Sequence, residues 1–403
     1  MRFSEKTTQW VQLLALTVIH GIVDMPGGIF VVSLPFIQKE FGFGYAMGCL
    51  LLGIFNLICN WIQVLTGGWR ATKDRPIFQY IGVVLCAALL AFGLVPRDSS
   101  AIFWLLALSV ISGWGVALPH PEALRAIHRI GKISPSMTTG VFMVGGVTGF
   151  IIGSWLAPRL IAAHGLAGLY AFLPVYVIGA VLLLPMGIRL SVEPPKTDHP
   201  AVVGISSAGI SFWPILCMTS LAGTSTAVLT WILPQKLHAL GINTPTVPLF
   251  MLGGGIGSLL LGWAAGKLGE LGIVTWGLLS ATVLLIVYIL LLGRPVSFYV
   301  LIAVGFVGFG TYPLMITAAK SIAGPGLGQR MGLMVGGVWG VANIIVMALG
   351  PVAQTYGLDG IVYGTPVGYL LAAIVGIYLM FRVKTRIKVP MDPDSIAMVE
   401  PVA

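Results

Sequence analysis

The sequence predicts an all-α integral membrane protein with about twelve transmembrane helices. Hydrophobic residues make up 57% of the chain and charged residues only 9%, and long apolar stretches recur along it. A soluble domain carries roughly 25% charged residues, so a chain with so few charges suits a surface that faces lipid. A third observation, an internal repeat, predicts that the helices form two similar halves of six in the same orientation.

Each helix is predicted from the length of an apolar stretch, because a membrane span needs about 20 predominantly apolar residues. Inside lipid, a helix satisfies its own backbone hydrogen bonds. The first stretch is longer than the core of a signal peptide and lacks a small-residue cleavage pattern, so we expect it to be retained. The twelve stretches are 9–36, 45–66, 77–95, 101–127, 136–158, 167–189, 209–233, 246–266, 272–292, 297–321, 331–352 and 361–382.

The basic residues predict the orientation of these spans. If both termini are cytoplasmic, 17 of the 22 Lys and Arg residues fall on the cytoplasmic side, and Lys39, Arg97, Arg159, Lys236 and Arg294 fall outside. This is the positive-inside bias of membrane proteins. It accounts for the net charge of +9 without a nucleic-acid partner. We therefore expect a monomeric, multi-pass membrane protein with both termini in the cytoplasm.

Four motifs of the first half recur in the second, in the same order. Two parallel repeats of six spans are the arrangement of major facilitator transporters. The repeat predicts an amino-terminal bundle (1–189), a cytoplasmic linker (190–208) and a carboxy-terminal bundle with a short tail (209–403). The matches are Leu34-Pro35 with Leu233-Pro234, Gly68-Trp69 with Gly262-Trp263, Gly113 and Gly115 with Gly308 and Gly310, and Met143–Val147 with Met334–Val338.

Ionisable side chains are costly inside lipid, so those within predicted spans are functional candidates. His20 and Asp24 lie four residues apart on the first span and therefore share one helix face. An imidazole beside a carboxylate can exchange protons near neutral pH. We expect this pair to bind a proton or the substrate, with a helix-packing hydrogen bond as the alternative.

A second pair, His120 and Glu122, lies in the segment Pro119-His120-Pro121-Glu122 near the cytoplasmic end of the fourth span. The prolines remove amide donors and disturb the helix, which frees carbonyl groups near Gly115 to Ala117. Glu122 and Arg125 are three residues apart and could form an ion pair. We expect a second proton or substrate site here, more than about 10 Å from Asp24 along the membrane normal, or a salt-bridged structural kink.

Other polar residues predict the walls of a cavity. Because Thr219 and Gly223 are the repeat partners of His20 and Asp24, we expect proton coupling in the first half and room for substrate in the second. We expect no metal site and no cofactor. No nucleotide-binding loop of the GxxxxGK[ST] kind occurs, so nothing indicates ATP as the energy source. The candidate wall residues are Asn56, Asn60, Gln63, Thr219, Thr226, Thr230, Tyr312 and Asn343.

These segments resemble a known family. His20-x-x-x-Asp24, the run from Pro119 to Arg125 and the sequence Val144-Gly145-Gly146 are similar to the fosmidomycin resistance proteins of the major facilitator superfamily. The resemblance implies a proton-driven transporter of the bacterial inner membrane that exports a drug-like or anionic compound. It also implies that the first, fourth, seventh and tenth helices line a central cavity.

The superfamily's loop after the second helix has a glycine, three residues and then Asp-Arg. Here Asp74 and Arg75 follow Gly68 with two extra residues, which weakens the gating role that the resemblance implies for them. The fifth span also lacks the Gly-Pro pair associated with antiporters. Import by proton symport, and a transporter fold that senses without flux, therefore stay open, while no nucleophile or metal-ligand set indicates an enzyme.

Overall fold

The computed structural model describes residues 4–70, 72–133, 135–192, 211–242, 245–320, 322, 324, 330 and 332–387. Most of the predicted linker, from position 193, and the tail from position 388 lie outside the described residues. We call the side of the molecule with Ser4, loop 70–76 and residues 187–192 the basic side, and the opposite side the far side.

Twelve spans account for the described chain, and we number them in chain order. Their α-helices are Glu5–Phe41, Tyr45–Trp69, Ile77–Cys86, Ala101–Ala117, Pro119–His128, Pro135–His164, Leu173–Leu183, Phe212–Trp231, Leu233–Ala239, Thr246–Leu268, Glu270–Leu290, Ser297–Gly308, Tyr312–Lys320, Val338–Tyr356, Asp359–Gly364 and Pro366–Ile387. Turns of 3-10 helix extend the third and sixth spans, at Ala87–Leu94, Gly165–Phe172 and Leu184–Met186, and Phe309–Thr311 lies within the tenth.

By length and apolar composition, the described residues contain eleven continuous helical segments that could cross a membrane. One of them, Gly140–Met186, has 47 residues, about 70 Å at 1.5 Å per residue against a hydrocarbon thickness of about 30 Å. Gly165 interrupts it with a φ of 63°, and Gly168 packs back against the carbonyl of Leu160. The segment is therefore a hairpin of two spans, which confirms the predicted twelve.

The predicted boundaries agree with these helices, but four spans are interrupted by breaks or by turns of another helix type. The fourth breaks at Leu118, the seventh at Ile232, and the tenth passes through the 3-10 turn Phe309–Thr311. The fourth and seventh breaks each precede a proline, Pro119 and Pro234, near the start of the following helix. The eleventh contains a π-helical turn, Leu333–Gly337, near its start.

The packing follows the repeat. The first span packs on the fifth and the seventh on the eleventh, while the second packs on the fourth and the eighth on the tenth. Between the halves, the second span lies along the eleventh and the fifth along the eighth. Glycines allow the closest approach: Gly145 lies against the carbonyl of Thr17 and Gly149 against that of Gly21, as expected for tightly packed membrane helices.

The first and seventh spans are covered differently along their lengths. Leu14 and Val18, on the basic-side half of the first span, are 52% and 50% exposed, whereas the side chains from Ile19 to Ile37 are buried or half-buried. On the seventh, Trp213 and Cys217 are exposed and the chain from Met218 to Leu237 is covered. The basic-side parts of these two spans are therefore less covered by the rest of the protein than the far-side parts, as expected if the space between the halves opens toward the basic side.

Contacts between the halves close the far side. The rings of Phe36 and His238 lie 5.0 Å apart, centroid to centroid, and Gly44 packs against the side chain of Gln354. The second span carries Cys49 at the same level, fully buried beside Gly350.

Candidate functional site

Asp24 lies between two histidines at the middle of the first span. Its Oδ2 is 3.3 Å from Nε2 of His20, and its Oδ1 is 3.1 Å from Nε2 of His120. The two imidazole rings are 5.2 Å apart and nearly perpendicular. Asp24 and His120 keep 26% and 17% of their side-chain surface exposed, whereas His20 keeps 5%. We call these three residues the His–Asp–His triad.

The other nitrogen of each ring contacts a main-chain oxygen. Nδ1 of His20 is 2.8 Å from the carbonyl of Phe142, and Nδ1 of His120 is 2.7 Å from the carbonyl of Val116. A carbonyl oxygen only accepts hydrogen bonds, so each Nδ1 carries the hydrogen. In a neutral ring Nε2 is then an acceptor, and it faces a carboxylate oxygen that is also an acceptor. A hydrogen bond between them exists only when a further proton is present.

The break in the fourth span places His120 at the triad. The first helix of that span ends at Ala117 and the next begins at Pro119. Pro119 and Pro121 have no amide hydrogen for the carbonyls one turn earlier, as the sequence predicts. The restarted helix carries His120 at its second position, where it reaches Asp24.

Gly146 gives the triad its space. A Cβ atom at this position would lie 2.8 Å from Nε2 of His20 and in collision with Oδ2 of Asp24. Phe142, one turn earlier on the fifth span, stacks on the His20 ring at 4.0 Å between centroids. The fifth span therefore supplies both the wall beside His20 and the carbonyl that accepts from its Nδ1.

Three ligand-type atoms of the triad lie within 4.8 Å of one another, a spacing that a divalent cation could also use. Zinc holds its nitrogen and oxygen ligands at about 2.0–2.2 Å. Here each carboxylate oxygen faces a different ring nitrogen at 3.1 and 3.3 Å. Two ligands of one zinc ion lie about this far apart, so the spacing fits a shared proton and a metal ion equally.

Glu122 lies apart from the triad, which corrects its predicted grouping with His120. It forms an ion pair with Arg70 across the second and fourth spans, whereas its spacing in sequence favoured Arg125. Its Oε2 accepts a hydrogen bond from the main-chain amide of Gln79 at 3.2 Å. Gln79 lies in the first turn of the third span, and the amino-terminal end of a helix favours negative charge.

Arg125 and the predicted gating loop belong to the same basic-side network. The Arg125 guanidinium donates to the carbonyls of Arg70 and Lys73, at 2.7 Å each, and to that of Ser191 at 2.8 Å. Asp74 pairs with Arg189 at 3.1 Å, and the Arg75 carbonyl accepts from Arg70 at 2.5 Å. All these contacts lie within the amino-terminal half.

The predicted wall residues differ in the partners of their polar side chains. Asn56, Asn60, Thr219 and Thr230 donate to carbonyls one turn earlier in their own helices. Thr226 bonds the Tyr369 hydroxyl of the twelfth span at 2.8 Å. Gln63 is half-buried. Asn343 is fully buried, and both polar atoms of its side chain lack a partner among the described residues.

Tyr312 is part of a cluster that sequence reasoning missed. Its hydroxyl donates to the carbonyl of Met334 in the π-helical turn at 2.9 Å and accepts from the Trp339 indole at 3.0 Å. Nothing in the local sequence marks the π turn, although it falls on the repeated Met-Val-Gly-Gly motif. Arg70 and Phe142 were also missed, since a positive-inside arginine and an apolar helix residue carry no signal of their own.

Comparison with known proteins agrees with this architecture. The sequence model of the Major Facilitator Superfamily matches residues 16–351. The chain belongs to the Major Facilitator Superfamily. Members of this superfamily are membrane transporters, so the chain is a multi-pass membrane protein of a transporter family and not an enzyme.

Individual relatives of this superfamily protein are distant but cover most of the chain. The fosmidomycin resistance protein of Escherichia coli (strain K12) is 21% identical over 84% of this chain and 86% of its own length. The uncharacterized MFS-type transporter YfnC of Bacillus subtilis (strain 168) is 20% identical over 87% and 88%. The fold resembles a bacterial homolog of the human lysosomal transporter Spinster, crystallised in an inward-facing and unoccupied conformation, with a TM-score of 0.71, 16% identity and coverage of 97% and 100%.

Proposed function

We propose that this protein is a proton-coupled secondary transporter that exports a small drug-like or anionic compound by alternating access. The observation that carries the proposal is the position of Asp24, whose two oxygens lie 3.3 and 3.1 Å from Nε2 of histidines whose Nδ1 atoms already donate to carbonyls. This arrangement needs protons to be complete, and it lies where the space between the halves opens toward the basic side.

The protons would act as links between helices. His20 and Asp24 belong to the first span, His120 to the fourth, and the Phe142 carbonyl to the fifth. With protons on both Nε2 atoms, the triad ties the first span to the fourth through the His120–Asp24 contact. When the proton at that contact leaves, two acceptors face each other at about 3 Å, and the link is lost.

Proton loss would therefore favour rearrangement of these spans. A ligand shifts a conformational equilibrium only by its differential affinity for the two states, and the protonated triad belongs to the state that is open to the basic side. Binding of protons from one side and their release on the other would then drive the cycle. In this proposal Asp24 is the coupling carboxylate, and His20 and His120 are its proton-carrying partners.

Glu122 and Arg125 take a different role in the proposal. Their contacts hold loop 70–76 and residues 189–191 against the fourth span, so we propose that they position the helix carrying His120. Asp74 and Arg75 belong to the same anchored loop. The substrate would occupy the opening between the triad and the carboxy-terminal half, near Tyr312 and Trp339.

The proposed direction of transport rests on two observations. A relative named for fosmidomycin resistance supports export of a small compound, and the positive-inside bias would place the open basic side in the cytoplasm of a bacterial inner membrane. An exporter that takes its cargo from the cytoplasm would bind it in this conformation.

Reconstituted vesicles test the proposal. Fosmidomycin and a panel of organic anions and cations are offered to proteoliposomes whose lumen is acidified, so that antiport accumulates the compound against its gradient. We expect accumulation by the wild type and none by Asp24→Asn, with exchange of internal for external compound retained. Asp98→Asn is the matched control, because Asp98 is an exposed loop acid that bonds Ser100.

Two results would contradict the proposal. Undiminished uphill accumulation by Asp24→Asn would remove Asp24 from the coupling role. Accumulation only when the external medium is the acidic one would replace export by antiport with import by symport, and would leave the role of the triad intact.

A further inference from the structure

A cavity of about 250 Å³ lies at the basic-side ends of the third and sixth spans, away from the triad. We call it the Arg75–Arg189 cavity. Two arginines, one tyrosine and several apolar side chains surround it. Its lining residues are Arg75, Pro76, Ile77, Tyr80, Leu184, Gly187, Ile188 and Arg189.

The cavity joins two surfaces that face lipid. Ile77 and Leu184, in its lining, are 46% and 69% exposed. On the third span Ile81 and Val84 continue the exposed apolar surface toward the membrane centre, and on the sixth span Ile178 and Val181 do so. Between the two helices, the Tyr80 hydroxyl donates to the Leu183 carbonyl at 3.0 Å.

The chain geometry keeps the cavity open. The 3-10 turn Leu184–Met186 ends at Gly187, which has a φ of 57°. A Cβ atom there would meet nothing within 4 Å, so the turn borders empty space. The sixth span thus ends beside the third without filling the gap between them.

The charges at the cavity are not balanced. Asp74 pairs with Arg189 at 3.1 Å. The structure gives the Arg75 guanidinium no hydrogen-bond or ion-pair partner among the residues that it describes, while its carbonyl holds Arg70. Two guanidinium groups against one carboxylate leave one positive charge at a membrane boundary, where basic pockets between helices bind anionic headgroups.

We infer that the Arg75–Arg189 cavity binds an anionic phospholipid, with the headgroup phosphate between the two guanidinium groups and the acyl chains along the exposed faces of the third and sixth spans. Arginine suits this role because its planar donors match phosphate oxygens in pairs. The apolar surface that leads into the cavity favours a lipid over a free anion.

Bound lipid would also affect the network around the fourth span. Arg75 and Asp74 belong to loop 70–76, which Glu122 and Arg125 hold. A headgroup that bridges Arg75 and Arg189 would stabilise this loop against residues 187–191. The inference concerns the lipid site alone and stands whether or not the triad binds the coupling proton.

Titration of delipidated protein with defined lipids tests this. Wild type in dodecyl maltoside micelles is titrated with dioleoylphosphatidylglycerol, and bound lipid is counted by native mass spectrometry. Each arginine near an anionic lipid contributes about 1 kcal/mol, so we expect Arg75→Gln and Arg189→Gln to weaken binding about fivefold each. Arg382→Gln is the matched control, since Arg382 is an exposed basic-side arginine that bonds only the Tyr378 hydroxyl among the described residues.

Two further variants sharpen the result. Asp74→Asn removes the carboxylate that competes for Arg189, so it should tighten lipid binding by up to about fivefold. The double variant Arg75→Lys with Arg189→Lys keeps both charges and should retain most of the binding. This separates loss of the site from loss of the fold if the glutamine variants are unstable.

Three outcomes would overturn the inference. Equal binding by wild type and the double glutamine variant would place the lipid elsewhere. Equal binding of dioleoylphosphatidylcholine would show that headgroup charge is irrelevant. Displacement of the lipid by an equal concentration of inorganic phosphate would identify a free-anion site instead of a lipid site.

Discussion

Where the amino-terminal half has His20 and Asp24, the carboxy-terminal half has Thr219 and Gly223 at the corresponding positions. Asp24 is held between two imidazoles. The Thr219 hydroxyl bonds the Ile215 carbonyl of its own helix at 2.7 Å. A Cβ atom at Gly223 would meet only a methyl group of Val338, at 2.8 Å. The same backbone scaffold thus presents titratable groups in one half and uncharged ones in the other.

The side-chain contacts that join neighbouring helices also differ between the two halves. In the amino-terminal half, the first and fourth spans are joined by the His120–Asp24 contact, which needs a proton. In the carboxy-terminal half, the Tyr312 hydroxyl, the Trp339 indole and the Met334 carbonyl join the tenth span to the eleventh. The hydroxyl and the indole are the donors here, and both keep their hydrogens across the physiological range. In the proposed mechanism, the amino-terminal half would respond to pH and the carboxy-terminal half would keep its shape.

The largest expected difference between the halves concerns Gly146 and its repeat partner Gly337. Gly146→Ala would push a methyl group into Asp24 and His20, whereas at Gly337 the nearest atom is a flexible Leu333 methyl at 3.3 Å. We expect Gly146→Ala to lower proton-driven accumulation more than tenfold, because the added methyl group misplaces the side chains that bind the proton. Gly337→Ala should keep accumulation within about twofold of the wild type. Equal losses in both variants would remove the special role of the amino-terminal half.

Glu122→Gln tests whether this residue anchors the loop or carries protons. Removing one charge of a buried ion pair costs about 3–5 kcal/mol, so we expect a large fall in thermal stability in detergent. Proteoliposomes reconstituted with the folded fraction of this variant should still accumulate substrate, with an unchanged number of protons exchanged per substrate molecule. A stable variant that had lost coupling would make Glu122 a second proton site, as its place in the span predicted.

The pH response can be followed at Cys49, which is buried where the halves meet on the far side. The conformation described here contains the triad contacts that need protons, so acid should stabilise it. In a background without Cys59, Cys86 and Cys217, we divide the maleimide labelling rate of Cys49 by that of a free thiol at the same pH, because the thiolate is the reacting form. We expect this ratio to rise several-fold as pH rises. His120→Gln, whose amide can donate to Asp24 without titrating, should flatten this dependence, and a slope that survives this change would implicate another group.

The smallest effect is expected from Tyr312→Phe. It leaves the Trp339 indole and the Met334 carbonyl without a partner, which costs about 1–3 kcal/mol for a buried polar group. Thermal melting should show this loss at every pH from 6 to 8, because no proton is involved. A pH-dependent loss would contradict the division between the halves.

The sequence predicted the fold well because apolar length, glycine motifs and basic loops are local signals. It also identified all three residues of the triad, because an ionisable side chain inside the membrane costs free energy and is therefore conspicuous in an apolar span. It paired them incorrectly: spacing along one helix grouped His120 with Glu122 and Glu122 with Arg125. The true partners, Asp24 and Arg70, come from other spans, and only packing shows which helix faces meet.

Residues without a charge were harder to predict. Gly146 belongs to a motif that the sequence marks, but the motif does not say which side chains its missing Cβ leaves room for. The carbonyls of Phe142 and Val116 are main-chain atoms, and their role depends on where the histidines point. Thr226 was expected in the cavity wall, yet its hydroxyl bonds the twelfth span.

The π-helical turn Leu333–Gly337 affects everything that follows it in the eleventh span. An α-helix rotates about 100° with each residue, so one extra residue in a turn re-aims all later side chains by about that angle. Gly340, Met347 and Gly350 therefore meet the second span on a face that an uninterrupted helix would have directed elsewhere. Deleting a single residue within the turn should rotate this entire surface about the helix axis. The eleventh span would then no longer pack against the second span of the other half.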